Sequence, residues 1–187
     1  MEDEQLMARL QQGDTEALET LILGELDKPN NPNVLGATRG GGTFQCTPTT
    51  RYIDADGLRA PAKAALVVEG WDIRLTTTLL EIRVGTFMDA LMCADKETKG
   101  GVTTLKVREN VAEKDFIESL VWFGDTSKGA MLIEMYNAIN MSGANFTFTD
   151  RGEGTLPVEY HAHVGTVGMK GDGYLPVKVV FFDPAAS

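Results

Sequence analysis

The sequence predicts a mainly β protein, a β-sandwich or barrel with one flanking α-helix, preceded by a helical extension at the amino terminus. Three observations predict it. Beyond residue 32 the apolar residues alternate instead of recurring at helical spacing. Turn residues punctuate that region roughly every ten positions, as between the short strands of a sandwich or barrel. The chain of 187 residues is 43% hydrophobic and holds 20 glycines against 7 prolines, which supplies both a core and many turns.

Residues 1–32 stand apart from the rest. Residues 1–28 carry eight acids against Arg9 and Lys28, a net of −6 within a whole-chain charge of −10. Two short helices are expected there, one over Glu2–Gln11 and one over Thr15–Leu23 with Asp14 as N-cap and Leu18, Leu21 and Ile22 on one side. Helices so short need something to pack on. Gly24 and the run Lys28–Asn33 end them and form a linker, so the domains read as 1–32 and 33–187.

In the second domain, Thr43–Thr49 and Arg51–Asp54 are polar, β-branched strands, and Asp56-Gly57 marks a turn before Leu58–Lys63. Val67–Ile82 is the longest strand, with Trp71, Ile73, Leu75 and Leu79 on one face and Asp72, Arg74, Thr76 and Thr78 on the other. A helix is expected over Thr86–Cys93, where Phe87, Ala90, Leu91 and Ala94 share a side. Strands follow at Thr103–Arg108, Phe116–Phe123, Ala130–Met141, Asn145–Thr149, Thr155–Val164 and Val177–Phe182. Trp71, Trp122, Phe123, Phe181 and Phe182 are expected to fill the core, with Met131, Met135 and Met141 on one strand face.

Composition excludes several classes of function. With 27 acids against 17 bases, the chain lacks the clustered Lys and Arg that grip nucleic acid by releasing counterions. Cys46 and Cys93 match neither a disulfide framework nor a zinc motif, which suits a reducing compartment. No apolar run approaches the ~18 residues of a membrane span, and the first residues do not read as a signal peptide.

Chemistry is sparse. The most site-like run is Glu159-Tyr160-His161-Ala162-His163, because alternate strand positions project Glu159, His161 and His163 to one side and two imidazoles so spaced can share a metal. A cupin-type site further requires a carboxylate soon after the second histidine and a histidine on a later strand; the chain has neither, and a polar outer strand face accounts for the run. No Gly-x-Ser-x-Gly elbow is present. Gly40-Gly41-Gly42 and Gly165–Gly173 lack the Gly-Lys-Ser/Thr ending of a phosphate loop and read as ordinary loops. The expectation is a structural protein, not an enzyme, with no cofactor and no bound metal.

From Asn33-Val34-Leu35-Gly36-Ala37-Thr38-Arg39-Gly40-Gly41-Gly42-Thr43-Phe44 onward, the order of segments resembles that of phage tail tube proteins, the major tail proteins of long-tailed phages. The likeness runs through Asp56–Lys63, through Glu69-Gly70-Trp71-Asp72-Ile73-Arg74-Leu75-Thr76 and its continuation to Glu81, through Thr86–Leu91, and through Thr155-Leu156-Pro157-Val158-Glu159-Tyr160-His161-Ala162-His163, over about residues 33–183. It implies a virion protein assembled in the host cytoplasm, whose hexameric rings stack into a hollow tail tube for DNA ejection. The implied partners are further copies of itself, a tape-measure protein and other tail proteins, and viral DNA that passes without specific binding, with no membrane involved. A tail terminator or a secretion-system tube subunit on a related fold is the alternative, and a metal-dependent β-sandwich enzyme using His161 and His163 the third reading. The acidic segment 1–32 goes beyond the family's minimal unit.

Two physical points accompany the likeness. A long strand with one apolar and one polar face can pack on its own core while adding its polar side to a larger closed barrel, which removes exposed sheet edges. Six copies at −10 each bring −60 to a ring, and like charge disfavours adsorption of DNA to the wall. Asp72 and Thr76 from the long strand, with Glu134 from the face opposite Met131, Ile133 and Met135, are the lumen-facing candidates; Arg74 shares the face of Asp72 and partly neutralises it. Thr43–Lys63, poor in large apolar anchors, is expected to reach a neighbouring subunit or ring as an extended hairpin or loop. Its polar residues Thr43, Gln45, Arg51, Asp54, Asp56, Arg59 and Lys63 are the inter-subunit candidates.

Overall fold

The computed structural model describes residues 35–54, 60, 62–127, 129–146, 154–165 and 175–182. The helices expected within residues 1–23, the Asp56-Gly57 turn and most of the Gly165–Gly173 loop lie outside these residues.

Among the described residues the architecture is mainly β with one α-helix. Strand β1 (Thr38–Tyr52) pairs antiparallel along its whole length with β2 (Leu66–Leu79), merging the two short strands expected on either side of Thr50 into one. Gly40-Gly41-Gly42 is part of β1, not a loop: the register slips between Thr38 and Gly42, and Gly40 and Gly41 take φ of +75°, a bulge that glycine enters without a Cβ penalty. The helix α1 spans Val84–Ala90, two residues earlier at its start and three at its end than the apolar spacing predicts. Its first turn is closed by the Arg83 N–H donating to Thr86 Oγ1 at 2.9 Å.

The residues after the helix form a strand that alternation did not reveal. β3 (Ala94–Lys99) pairs with β4 (Val102–Val107) across the two-residue turn Gly100–Gly101 as an isolated two-stranded ribbon. Its run Asp95-Lys96-Glu97-Thr98-Lys99 is polar on both faces, so no burial pattern marks it. Arg108 fixes the ribbon's base: its Nη2 lies 2.6 Å from Asp115 Oδ2, its Nη1 donates to the Asn110 carbonyl at 3.1 Å, and Asp115 also accepts from the Ala112 N–H.

Strands β5 (Ile117–Thr126), β6 (Gly129–Asn140), β7 (Leu156–His161) and β8 (Val177–Phe181) complete the six-stranded antiparallel sheet, in the order β1-β2-β7-β6-β5. β6 pairs with β5 on one side; on the other it pairs first with β8 at Met131–Met135 and then with β7 at Ile139–Asn140. Between those partners Asn137 takes a left-handed φ of 48° and its Nδ2 donates to the His163 carbonyl. The residues that β6 gives to the main core cluster change parity there, Ile133 and Met135 before it and Ala138 after it, while Leu132 and Ile139 are buried on the opposite parity. Asn145 and Phe146 are not strand, and Thr147–Thr149 lie outside the described residues.

The core lies inside the curl. Ile73, Leu75 and Leu79 of β2, Leu156, Val158 and Tyr160 of β7, Ile133 and Met135 of β6, Leu120 of β5 and Ala90 of α1 form one buried cluster. Asn140 ties it together while using its full hydrogen-bonding capacity: Nδ2 donates to the Ala90 and Gly143 carbonyls, and Oδ1 accepts from the Glu159 N–H at 2.8 Å and Ser142 Oγ at 2.9 Å. Two of the expected core aromatics stand elsewhere. Trp122 packs on the cluster and Phe182 is buried, but Trp71 and Phe181 are 44% and 70% exposed. Met141 likewise lies beyond β6 and is half exposed.

Candidate assembly surfaces

The apolar row of β2 does not stop where the core stops. Directly opposed residues of an antiparallel pair share a face, so Phe44 with Leu75, Cys46 with Ile73 and Pro48 with Trp71 form one row. A second register shift between Thr49 and Thr50 leaves Glu69 as the extra residue, and the row continues as Thr50 with Val68 and Tyr52 with Leu66. Tyr52, Leu66, Val68 and Trp71 are each about half exposed, and Ile53 beyond them is too. The distal hairpin is therefore an apolar ribbon face in water. Its other face carries Arg51, paired to Glu69, with the half-buried Val67 directly opposite Arg51.

The inter-subunit candidates among the described residues fall on this hairpin or just beyond its strands. Thr43, Gln45 and Arg51 occupy the polar face of β1, Asp54 is exposed just beyond it, and Lys63 opens a short 3-10 turn over Lys63–Ala65. Asp56 and Arg59 lie outside the described residues. The segment is not uniformly unanchored: Phe44 and Cys46 pack against the core cluster, and burial pushes the Cys46 thiol pKa up, so only the part from about Pro48 outward projects.

Asp72 and Thr76 sit on the outer face of β2 within a polar network. Arg74 Nε donates to Gln45 Oε1 at 2.9 Å and lies 3.4 Å from Asp72; Arg74 Nη1 is 3.7 Å from Glu159. The His161 ring stands between two carboxylates, Nε2 at 2.8 Å from Glu159 and Nδ1 at 3.4 Å from Asp72. Thr76 Oγ1 completes the network with a long bond to Glu159. The hydrogen bond with His161, reinforced by Arg74, holds the Glu159 carboxyl below the usual carboxylate range. Arg74 thus sits amid Gln45, Asp72 and Glu159, so the patch that holds two of the three lumen candidates, Asp72 and Thr76, is mixed in charge.

Glu134 is not part of that network. It lies on the outer face of the β5–β6–β8 half, opposite Val121 and Lys178, and accepts from Ser119 Oγ and Tyr136 OH at 2.9 Å each. The core rows of the two halves meet across the interior, so their outer rows point away from one another.

Glu159 and His161 share a face as strand parity predicts. His163 does not join them; it follows β7, its Nδ1 lies 3.0 Å from the His161 carbonyl oxygen, and its ring meets Phe116 edge-on at 5.5 Å. Among the described residues, no group of three or more His, Cys, Asp and Glu is placed to hold a metal ion. None of the described helices is long and apolar enough to cross a membrane.

One surface had no sequence signal. An open apolar groove of about 410 Å³ lies between β1–β2 and β5–β6–β8, lined by Gly42, Phe44, Leu75, Trp122, Met131, Ile133, Val179 and Phe181. Its walls come from five strands distant in sequence. Gly42 shapes its floor, since a Cβ there would stand 2.9 Å from the Trp122 ring. Comparison with known proteins finds no family model that matches the chain and no curated protein similar to it.

Proposed function

We propose that the chain is a structural subunit that assembles with copies of itself, six to a ring and ring upon ring, into the inner tube of a phage tail through which viral DNA leaves. The observation that carries this reading is the β1–β2 hairpin, whose β2 row stays apolar from the core into solvent as Ile73, Trp71, Val68 and Leu66, beside Pro48, Thr50 and Tyr52 of β1. Exposed apolar patches of that kind mark contact with another macromolecule. Among the described residues the sheet also ends in unpaired edges at β1 and β5, which side-by-side joining of subunits would cover. The order of sequence segments, resembling tail tube proteins, supplies the particular assembly, and the net charge of −10 suits a conduit that DNA passes without adhering.

The test is negative-stain microscopy of the purified full chain at rising concentration. Hollow tubes of uniform diameter are the expected result. Single closed rings would favour a tail terminator, and lone particles under every assembly condition would overturn the proposal.

A further inference from the structure

We propose that the half-exposed hairpin tip of one copy seats in the apolar groove of the next, a head-to-tail contact of Leu66, Val68 and Trp71 against Phe44, Val179 and Phe181. The inference rests on the assembly reading above and names the receiving site.

Both surfaces are apolar, exposed and on the same chain, yet the distal end of the tip does not reach its own groove. Leu66 and Leu75 are held on one continuous strand, roughly 30 Å apart at about 3.3 Å per residue. Fractional exposures of 44–50% at Tyr52, Leu66, Val68 and Trp71 leave on the order of 400 Å² of apolar tip in water, given roughly 150–250 Å² for each aromatic side chain. The groove mouth adds Phe181 at 70% and Val179 at 42% exposure. Its volume of about 410 Å³ is within the range of pockets that enclose a drug-sized molecule, room for a tryptophan and a neighbouring aliphatic side chain.

Area also decides between arrangements. Packing tip on tip in a two-fold dimer covers the hairpins and leaves both grooves open. Tip in groove covers both patches at every contact, on the order of 800 Å² in total, below the ~1,200 Å² at which a single pair becomes stable. A lone contact is then weak, and contacts persist when each copy makes several, as in a closed ring or a tube. Because the two patches differ, the contact is heterologous and repeats from copy to copy.

Variants of the full chain with one added cysteine each, Val68→Cys and Val179→Cys, test it under mild oxidation, with wild type as the background for Cys46 and Cys93. The expected result is a covalent dimer on mixing the two variants, at least tenfold more abundant than with either alone. Dimers of Val68→Cys alone at equal yield would overturn the inference in favour of tip on tip. Tubes that form without the mixed crosslink would overturn it while leaving the assembly reading intact; a mixed crosslink without rings or tubes would support the contact and overturn the tube. As a second variant, Phe181→Glu should reduce assembly at least tenfold with the unfolding midpoint of the monomer unchanged, and full assembly of this variant would overturn the inference.

Discussion

Strand β2 has two ends made of the same kind of sequence and placed in opposite environments. From Ile73 to Leu79 alternate residues are buried to 5% exposure or less; from Leu66 to Trp71 the same row is half exposed. The face taken and the apolar type are alike at both ends, and even the β1 partner is shared. Only the cover differs: β7, β5, β6 and α1 close over the first end, whereas nothing among the described residues closes over the second. A row that stays apolar through a bulge and past its own core is built to be covered by something else. The bulge at Glu69 is informative here, because without the extra residue Val68 and Leu66 would have fallen on the polar face.

That contrast breaks most sharply at the covered end. Leu79→Ala removes a fully buried side chain from a site walled by rigid strands, and about 3–4 kcal/mol of stability should go with it. Chemical denaturation of the monomer measures this; a loss below about 1 kcal/mol would mean that the two ends of β2 do not differ as described. Asn140→Ala should come next, at about 2–3 kcal/mol, because the Ala90 carbonyl and the Glu159 N–H both lose a buried partner. Unequal protection of the Glu159 amide in hydrogen exchange between wild type and variant would locate the loss.

The covered end was readable in the sequence and the uncovered end was misread, for one reason. Alternation reports which face a side chain takes, not whether anything lies over it. Ile73, Leu75 and Leu79 were placed correctly, and Trp71, on the same parity, was placed in a core that does not extend that far. Phe181 was misplaced in the same way. The β3 strand escaped because both faces of Ala94–Lys99 meet water, although the adjacent Gly100-Gly101 was a usable turn signal. The groove was beyond reach of any local pattern, since Gly42, Trp122 and Val179 are brought together only by the curl of the sheet. Of the proposed site residues, Asp72 and Thr76 could be assigned to one outer face by parity, but their neighbours Glu159 and His161 arrive from β7 through strand pairing, and the separation of Glu134 follows from how the sheet curls around the core.

A smaller effect sharpens the boundary between the two ends. Gly42→Ala would press a methyl group into the Trp122 ring, and about 1–2 kcal/mol of destabilisation is expected as the ring or β1 shifts. The tryptophan should respond visibly, with a shifted fluorescence maximum; an unchanged spectrum and midpoint would show that the groove floor yields freely.

Two acids on either side of the covered end should respond to pH with opposite signs. Glu159 titrates below the usual range, so its stabilising contribution is present above the unfolded value of about 4.3 and is lost as pH falls through the lower folded value. Burial pushes Asp89 up, so its charge costs stability above its folded value, and that cost is relieved as pH falls through it. Tyr160, buried beside it with its hydroxyl unpartnered among the described residues, is pushed up as well, first by burial and then by the Asp89 charge. Asp89→Asn should therefore stabilise the monomer near neutral pH and lose that advantage in acid, whereas Glu159→Gln should destabilise near neutral pH and converge on wild type in acid. Parallel curves for the two variants would remove the distinction.

The smallest expected effect on the monomer is the most telling. Val68→Thr keeps shape and β-branching, and at a half-exposed position it should change monomer stability by no more than about 0.5 kcal/mol. The same hydroxyl buried in a contact between copies needs a hydrogen-bond partner that an apolar groove does not offer, at about 1–3 kcal/mol per contact. Multiplied over the repeated contacts of an assembly, that is enough to raise the concentration needed for assembly many-fold. An unchanged denaturation midpoint together with a raised assembly threshold would place the missing cover of β2 on a second copy; a destabilised monomer with unchanged assembly would place it within the chain itself.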